Sequence, residues 1–115
     1  MPTTLHDRER AFEAQFAHEE ELRFLITARR DKLFAKWAAA KIGVFEVTEK
    51  DLTDAVLAVA GGAGHDQAVL NAIAGAFLAC GQHPAESELE AALELCGQQA
   101  RRQLLEAPPG PARPQ

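Results

Sequence analysis

Tyrosine is absent from this chain of 115 residues, and tryptophan and methionine occur once each. β-Branched residues are sparse while alanine is abundant, a balance that favours helix over sheet. Two cysteines, Cys80 and Cys96, give no disulfide framework and fit a reducing compartment. No apolar run approaches the ~18 residues needed to span a bilayer. The longest, residues 68–80, is interrupted by Asn71 and Gly75. The opening MPTTLHDRER has no apolar segment of the kind a signal peptide needs. Surplus basic charge is missing too: 12 Lys and Arg face 17 Asp and Glu, a formal net charge of -5. Phosphate backbones are held by excess Lys and Arg, so no nucleic-acid partner is expected. The expectation is one all-α domain, soluble and cytoplasmic, without direct membrane insertion.

What the chain has in quantity is helix-forming sequence. Residues 7–43 contain no proline and no interior glycine. Ala, Leu, Glu, Lys, Gln and Arg dominate, the residues that lose least on entering a helix. Apolar residues recur at helical spacing through Phe12, Phe16, Leu22, Ile26, Leu33, Trp37 and Ala40. As one helix this stretch is about 55 Å long at ~1.5 Å per residue. Asp7 is the expected N-cap and Gly43 the stop, with Val44, Phe45 and Val47 folding back over the helix end. From Leu22 onward the apolar stripe widens through Leu25, Ile26, Leu33, Phe34, Trp37, Ala40 and Ile42, as in a helix packed inside a bundle.

Three shorter helices follow. Thr48 to Asp51 forms a capping box that opens a second helix, reaching about Ala60 and burying Leu52, Ala55, Val56 and Val59. The run Gly61, Gly62, Ala63, Gly64 ends it. No strand precedes that run and no Lys-Ser/Thr follows it, so it reads as linker and not as a phosphate cradle. A third helix has Asp66 as N-cap and turns Val69, Leu70, Ile73, Phe77 and Leu78 inward, with Gly81 closing it. Ser87 to Glu90 is a second capping box, starting a fourth helix to about Glu106 striped by Leu89, Leu93, Cys96, Ala100 and Leu104. Residues 107–115 (APPGPARPQ) cannot continue a helix and are expected to be a disordered tail.

Short connections imply antiparallel neighbours and a four-helix bundle. A fourth helix of about 20 residues spans roughly 30 Å and covers only the second half of the first helix. The division is placed near residues 20–22, giving an N-terminal segment 1–21, a bundle 22–106 and a tail 107–115. Residues 7–21 then project or are disordered in the free protein, because an uncovered helix of that length is marginal in water. Phe12 and Phe16, one turn apart and flanked by Arg8, Glu9, Arg10, Glu13, Glu19 and Glu20, become anchors for a partner. The bland alternative buries both rings in a bent helix or a dimer.

Other residues carry weaker signals. Arg29 and Arg30, with Lys32 and Lys36, offer a basic patch for a nucleotide or an acidic surface, although a solvated face paired with carboxylates is the favoured reading. His65, Cys80, His83 and Cys96 include one ligand-like gap, but the second pair lacks such spacing and both cysteines fall on apolar faces. No metal site is expected. His6 and His18 lie in the uncovered segment, where they could titrate near neutral pH. No nucleophile–base constellation or carboxylate pair appears in a supporting context, so an enzyme is not expected.

The stretch Asp7-Arg8-Glu9-Arg10-Ala11-Phe12-Glu13-Ala14, followed by Phe16-Ala17-His18, Glu21-Leu22, Ala28-Arg29-Arg30, Lys32-Leu33 and Trp37-Ala38-Ala39, resembles the zeta subunit of alphaproteobacterial F-type ATP synthases. The likeness is dense over residues 7–43 and mainly one of layout beyond. Asp31 stands where that family usually has Asn, and Gln15 replaces a usual basic residue. The resemblance implies an inhibitor of ATP hydrolysis whose N-terminal helix enters a catalytic interface between alpha and beta subunits and reaches the gamma subunit of the central stalk. Arg8, Glu9, Arg10, Phe12, Glu13 and Phe16 would make that contact, with the bundle docked outside. No cofactor is implied, and weak ATP or ADP binding through Arg29 and Arg30 stays open. Two other readings remain: a non-inhibitory helical interaction module and a nucleotide-responsive helical protein.

Overall fold

In the computed structural model, which describes residues 5–43 and 48–106 with side chains from residue 7, every regular element is a helix. These are α1 (Leu5–Ile42), α2 (Glu49–Leu57), α3 (His65–Ala79) and α4 (Glu86–Glu106). The expected positions of Val44, Phe45 and Val47 and the expected tail lie outside the described residues. Four cross-helix contacts fix the direction of the chain. Lys41 Nζ meets Glu88 at 3.9 Å while Arg29 Nη1 donates to Gln103 Oε1 at 2.8 Å, so α1 and α4 run antiparallel. His65 meets Asp31, and Gln82 Nε2 donates to the Ile42 carbonyl at 3.2 Å, so α3 runs alongside α1 in the same sense. The result is an up-down-up-down bundle.

Local sequence sets the helix ends. Thr48 caps α2 through a full capping box: its hydroxyl accepts from the Asp51 amide at 3.1 Å, and the Asp51 carboxylate accepts from the Thr48 amide. At the far end α2 stops at Leu57, earlier than expected, and the Ala60 carbonyl is taken by the His65 ring at 2.8 Å. Val59 is therefore only half-buried, and Ala55 faces solvent. The N-cap of α3 is Gly64, whose left-handed φ of 83° favours glycine, and not Asp66. Asp66 instead spends its carboxylate on Arg30. Gly81, at φ 76°, completes a Schellman stop: its amide donates to Leu78 and that of Gln82 to Phe77, both at 2.9 Å. Helix α4 begins one residue before the expected cap, with the Leu89 amide bonded to the Ala85 carbonyl, so Ser87 lies inside its first turn.

The core is built on Phe34, Val56, Val69 and Ile73, all fully buried. Phe34 stacks on Trp37 at 5.7 Å between ring centroids, and Trp37 meets Phe77 at 6.0 Å. Ala35, Ala38 and Ala39 of α1 are also buried, and such small residues let neighbouring helices approach closely. Leu78, one residue past Phe77, is rotated about 100° off the buried face and is exposed; Leu25 and Ala40 of α1 are likewise exposed.

Burial on α1 begins at Ile26, and the reason is register. Three residues beyond Gln103 on α4, and three before Arg29 on α1, stand Glu106 and Ile26, so α4 ends where burial begins. No break accompanies that boundary. Helix α1 continues through residues 20–22, bridged by an Arg23–Glu20 ion pair at 2.6 Å. Residues 7–21 are all exposed.

Replacing Phe34 with alanine should cost about 3–5 kcal/mol of stability, while Phe12→Ala should stay within ~0.5 kcal/mol. Urea unfolding followed by circular dichroism distinguishes the two.

Candidate partner-binding site

The projecting part of α1 carries Phe12, 73% exposed, and Phe16, 56% exposed. No described residue of the bundle reaches them. Phe16 and Phe34 are eighteen residues apart, five turns at ~3.6 residues each. The exposed ring thus leaves the helix in the same direction as the most deeply buried one. Asp7 and Arg10 form an i,i+3 pair at 3.7 Å, and Arg8, Glu9 and Glu13 are exposed beside the rings. All six of Arg8, Glu9, Arg10, Phe12, Glu13 and Phe16 are exposed on the projecting part of α1, with Arg10, two residues before Phe12, turned about 160° away from it.

A third exposed ring belongs to the same helix. Phe24, 70% exposed, follows Phe12 and Phe16 at the next-but-one step of a four-residue ladder, with Glu20 between. In the sequence it is masked by its apolar neighbours Leu22, Leu25 and Ile26. The i, i+4, i+8, i+12 spacing was the signal that could have found it. Beside Phe24 lies an open cleft of about 400 Å³ between α1 and the end of α2, with Leu57, Asp31 and His65 among the residues that line it.

Asp31 is 3% exposed and sits at the centre of a charged knot. Its Oδ1 accepts from Arg30 Nε at 3.0 Å, and its Oδ2 faces His65 Nε2 at 2.7 Å. Arg30 Nη2 also reaches Asp66 at 2.8 Å. The Ala60 carbonyl can only accept, so His65 Nδ1 must carry a hydrogen. The ionised Asp31 carboxylate likewise accepts from Nε2, so both ring nitrogens donate and the imidazolium is the fitting form. The Ala60 carbonyl, with Asp31 next, holds the His65 pKa above its ordinary value, against burial and the nearby Arg30 charge. Burial acts to lower the Arg30 pKa, but Asp66 and Asp31 together outweigh it and raise it. Arg30 in turn holds the Asp66 carboxyl below its usual range, against partial burial.

The basic patch is thus largely committed. Arg30 is neutralised by two carboxylates and Arg29 is bonded to Gln103. Lys32 and Lys36 are exposed. His65 turns to Asp31 and the Ala60 carbonyl. Among the described residues no three His, Cys, Asp or Glu side chains form a metal-binding group. Burial pushes the Cys96 thiol up, which is unfavourable to a thiolate ligand.

Asp31→Ala should destabilise the bundle by about 1–3 kcal/mol, since it removes the carboxylate that part-buried Arg30 and His65 share, while Arg30 keeps Asp66. The His65 contribution has a defined sign. A pKa raised on folding stabilises fully below the unfolded value of about 6.5 and is lost as pH rises through the folded value. The urea midpoint of the wild-type chain should therefore fall as pH rises above about 6.5, and His65→Gln should flatten that fall. Asp66, held low, contributes above its unfolded pKa and loses that contribution as pH falls.

No curated protein and no solved structure matches the chain. One family model does, that of ATPase inhibitor subunit zeta, over residues 2–103. The match takes in all of α1, α2 and α3 and most of α4, and it agrees with an all-helical chain in which no described helix is long and apolar enough to cross a membrane. The chain belongs to the ATPase inhibitor subunit zeta family and is accordingly a regulatory, non-catalytic subunit with an inhibitory role toward ATP synthase.

Proposed function

We propose that the projecting part of α1 blocks ATP hydrolysis by entering a catalytic interface between alpha and beta subunits of the ATP synthase head, near the gamma subunit of the central stalk. The observation that carries this reading is the pair Phe12 and Phe16, exposed on a helix that outruns its own bundle. Burying two such rings supplies about 1.5–3 kcal/mol each. Arg8, Glu9, Arg10 and Glu13 set register and orientation more than affinity. Because residues 7–21 extend a helix already nucleated within the bundle, insertion avoids the unfavourable first turn that an isolated segment would have to form. The bundle stays outside and limits the depth of entry. Rotation in the hydrolytic sense tightens the interface around the wedge, and rotation in the synthetic sense loosens it. On this reading the protein works in the cytoplasm, held at the inner membrane only through the enzyme.

The nucleotide-responsive reading draws less support, because Arg30 and Arg29 already have intramolecular partners. ATP titrated against the chain should leave the amide signals of residues 23–36 unmoved.

Adding the full chain to the cognate ATP synthase should suppress hydrolysis while sparing synthesis. The double variant Phe12→Ala/Phe16→Ala should weaken inhibition by roughly a hundredfold, corresponding to about 3 kcal/mol. A chain beginning at Glu21 should keep the bundle's cooperative unfolding and fail to inhibit. Undiminished inhibition by either would overturn the reading.

A further inference from the structure

The ladder Phe12, Phe16, Glu20, Phe24, Ala28 runs unbroken from the free end of α1 into the bundle. On a helix, residues four apart form a ridge inclined to the axis, the kind that packs into the groove of another helix. The first four members are exposed. Glu20, Phe24 and Ala28 all line the cleft of about 400 Å³ against α2, where Leu57 is 52% exposed. From Phe12 to Phe24 the ridge is about 18 Å long at ~1.5 Å per residue.

We propose that the surface meeting ATP synthase does not end with the projecting helix but continues over Phe24 into the cleft between α1 and Leu57 of α2, which receives an apolar side chain from a helix of the same enzyme. This rests on the insertion reading and enlarges its contact. Two arguments favour that occupant. The first is continuity: Phe24 is one member of the ridge whose outer members, Phe12 and Phe16, are the proposed anchors. A partner helix following the ridge inward is led to the cleft. The second is area. A phenylalanine buries roughly 150–250 Å², and a stable interface needs about 800 Å² per partner. Two rings leave that requirement well short, and Phe24 with Leu57 narrows the gap. The cleft also suits a side chain better than a charged ligand. Arg23, which lines it, is already bound to Glu20, and Asp31 and His65, which line it too, satisfy each other.

The test measures binding of the full chain and its variants to detergent-solubilised cognate ATP synthase. Phe24→Ala and Leu57→Ala should each weaken binding about five- to thirtyfold. Leu95→Ala on α4, exposed and outside the cleft, should leave it unchanged. Thermal midpoints should stay at the wild-type value, because Phe24 and Leu57 are exposed in the free protein. Loss of binding in Phe12→Ala/Phe16→Ala without loss in Phe24→Ala or Leu57→Ala would sink this inference and leave the insertion reading standing. Unchanged binding in all of them would sink both. Sedimentation and amide spectra of the free chain identify other occupants. Unchanged enzyme binding with a free dimer that dissociates in Phe24→Ala would assign the cleft to a second copy. Unchanged binding with shifted signals from residues 107–115 would assign it to the chain's own tail.

Discussion

A helix of 38 residues packed against a longest partner of 21 must leave part of itself uncovered. That mismatch of length governs this fold. The antiparallel register fixes which part remains bare, because α4 starts beside Lys41 and is exhausted opposite Ile26. Everything before that point meets solvent, and apolar side chains there stabilise the protein only when something else arrives. The bundle thus acts as a mount for the portion of α1 that its own core does not use.

The mount needs a firm join where cover runs out, and Asp31 supplies it. One carboxylate gathers α1's neighbouring arginine and the first residue of α3, while the His65 ring also takes the Ala60 carbonyl left free by the early end of α2. A buried charge is tolerable only when paired and hydrogen-bonded, and both Asp31 oxygens have partners. Three segments are therefore tied together close to the site where the helix emerges. Gly97 belongs to the same join: a Cβ there would come within 3.4 Å of Arg30 Cδ, so α4 leaves room for the arginine to cross.

The helices and the bare ridge were legible in the sequence because their signals are local. Thr48 and Asp51 announce α2 within four residues, and Phe12 and Phe16 stand out against charged neighbours. The Asp31 knot was not legible, since Asp31 and His65 are 34 positions apart and the ring's second partner is a backbone carbonyl. Asp66 looked like a cap because its competing partner, Arg30, is equally remote. Phe24 was hidden for another reason. It falls among Leu22, Leu25 and Ile26, where a broad apolar stripe reads as core, and only the register of α4 shows that cover stops short of it.

Between Phe16 and Phe34, five turns apart, α1 is one continuous helix with no proline or glycine along it. The heading of the outer rings is fixed by the inner one, as the bit of a key is fixed by its bow. One residue added between them would turn the tip by about 100° while leaving the composition of both ends intact.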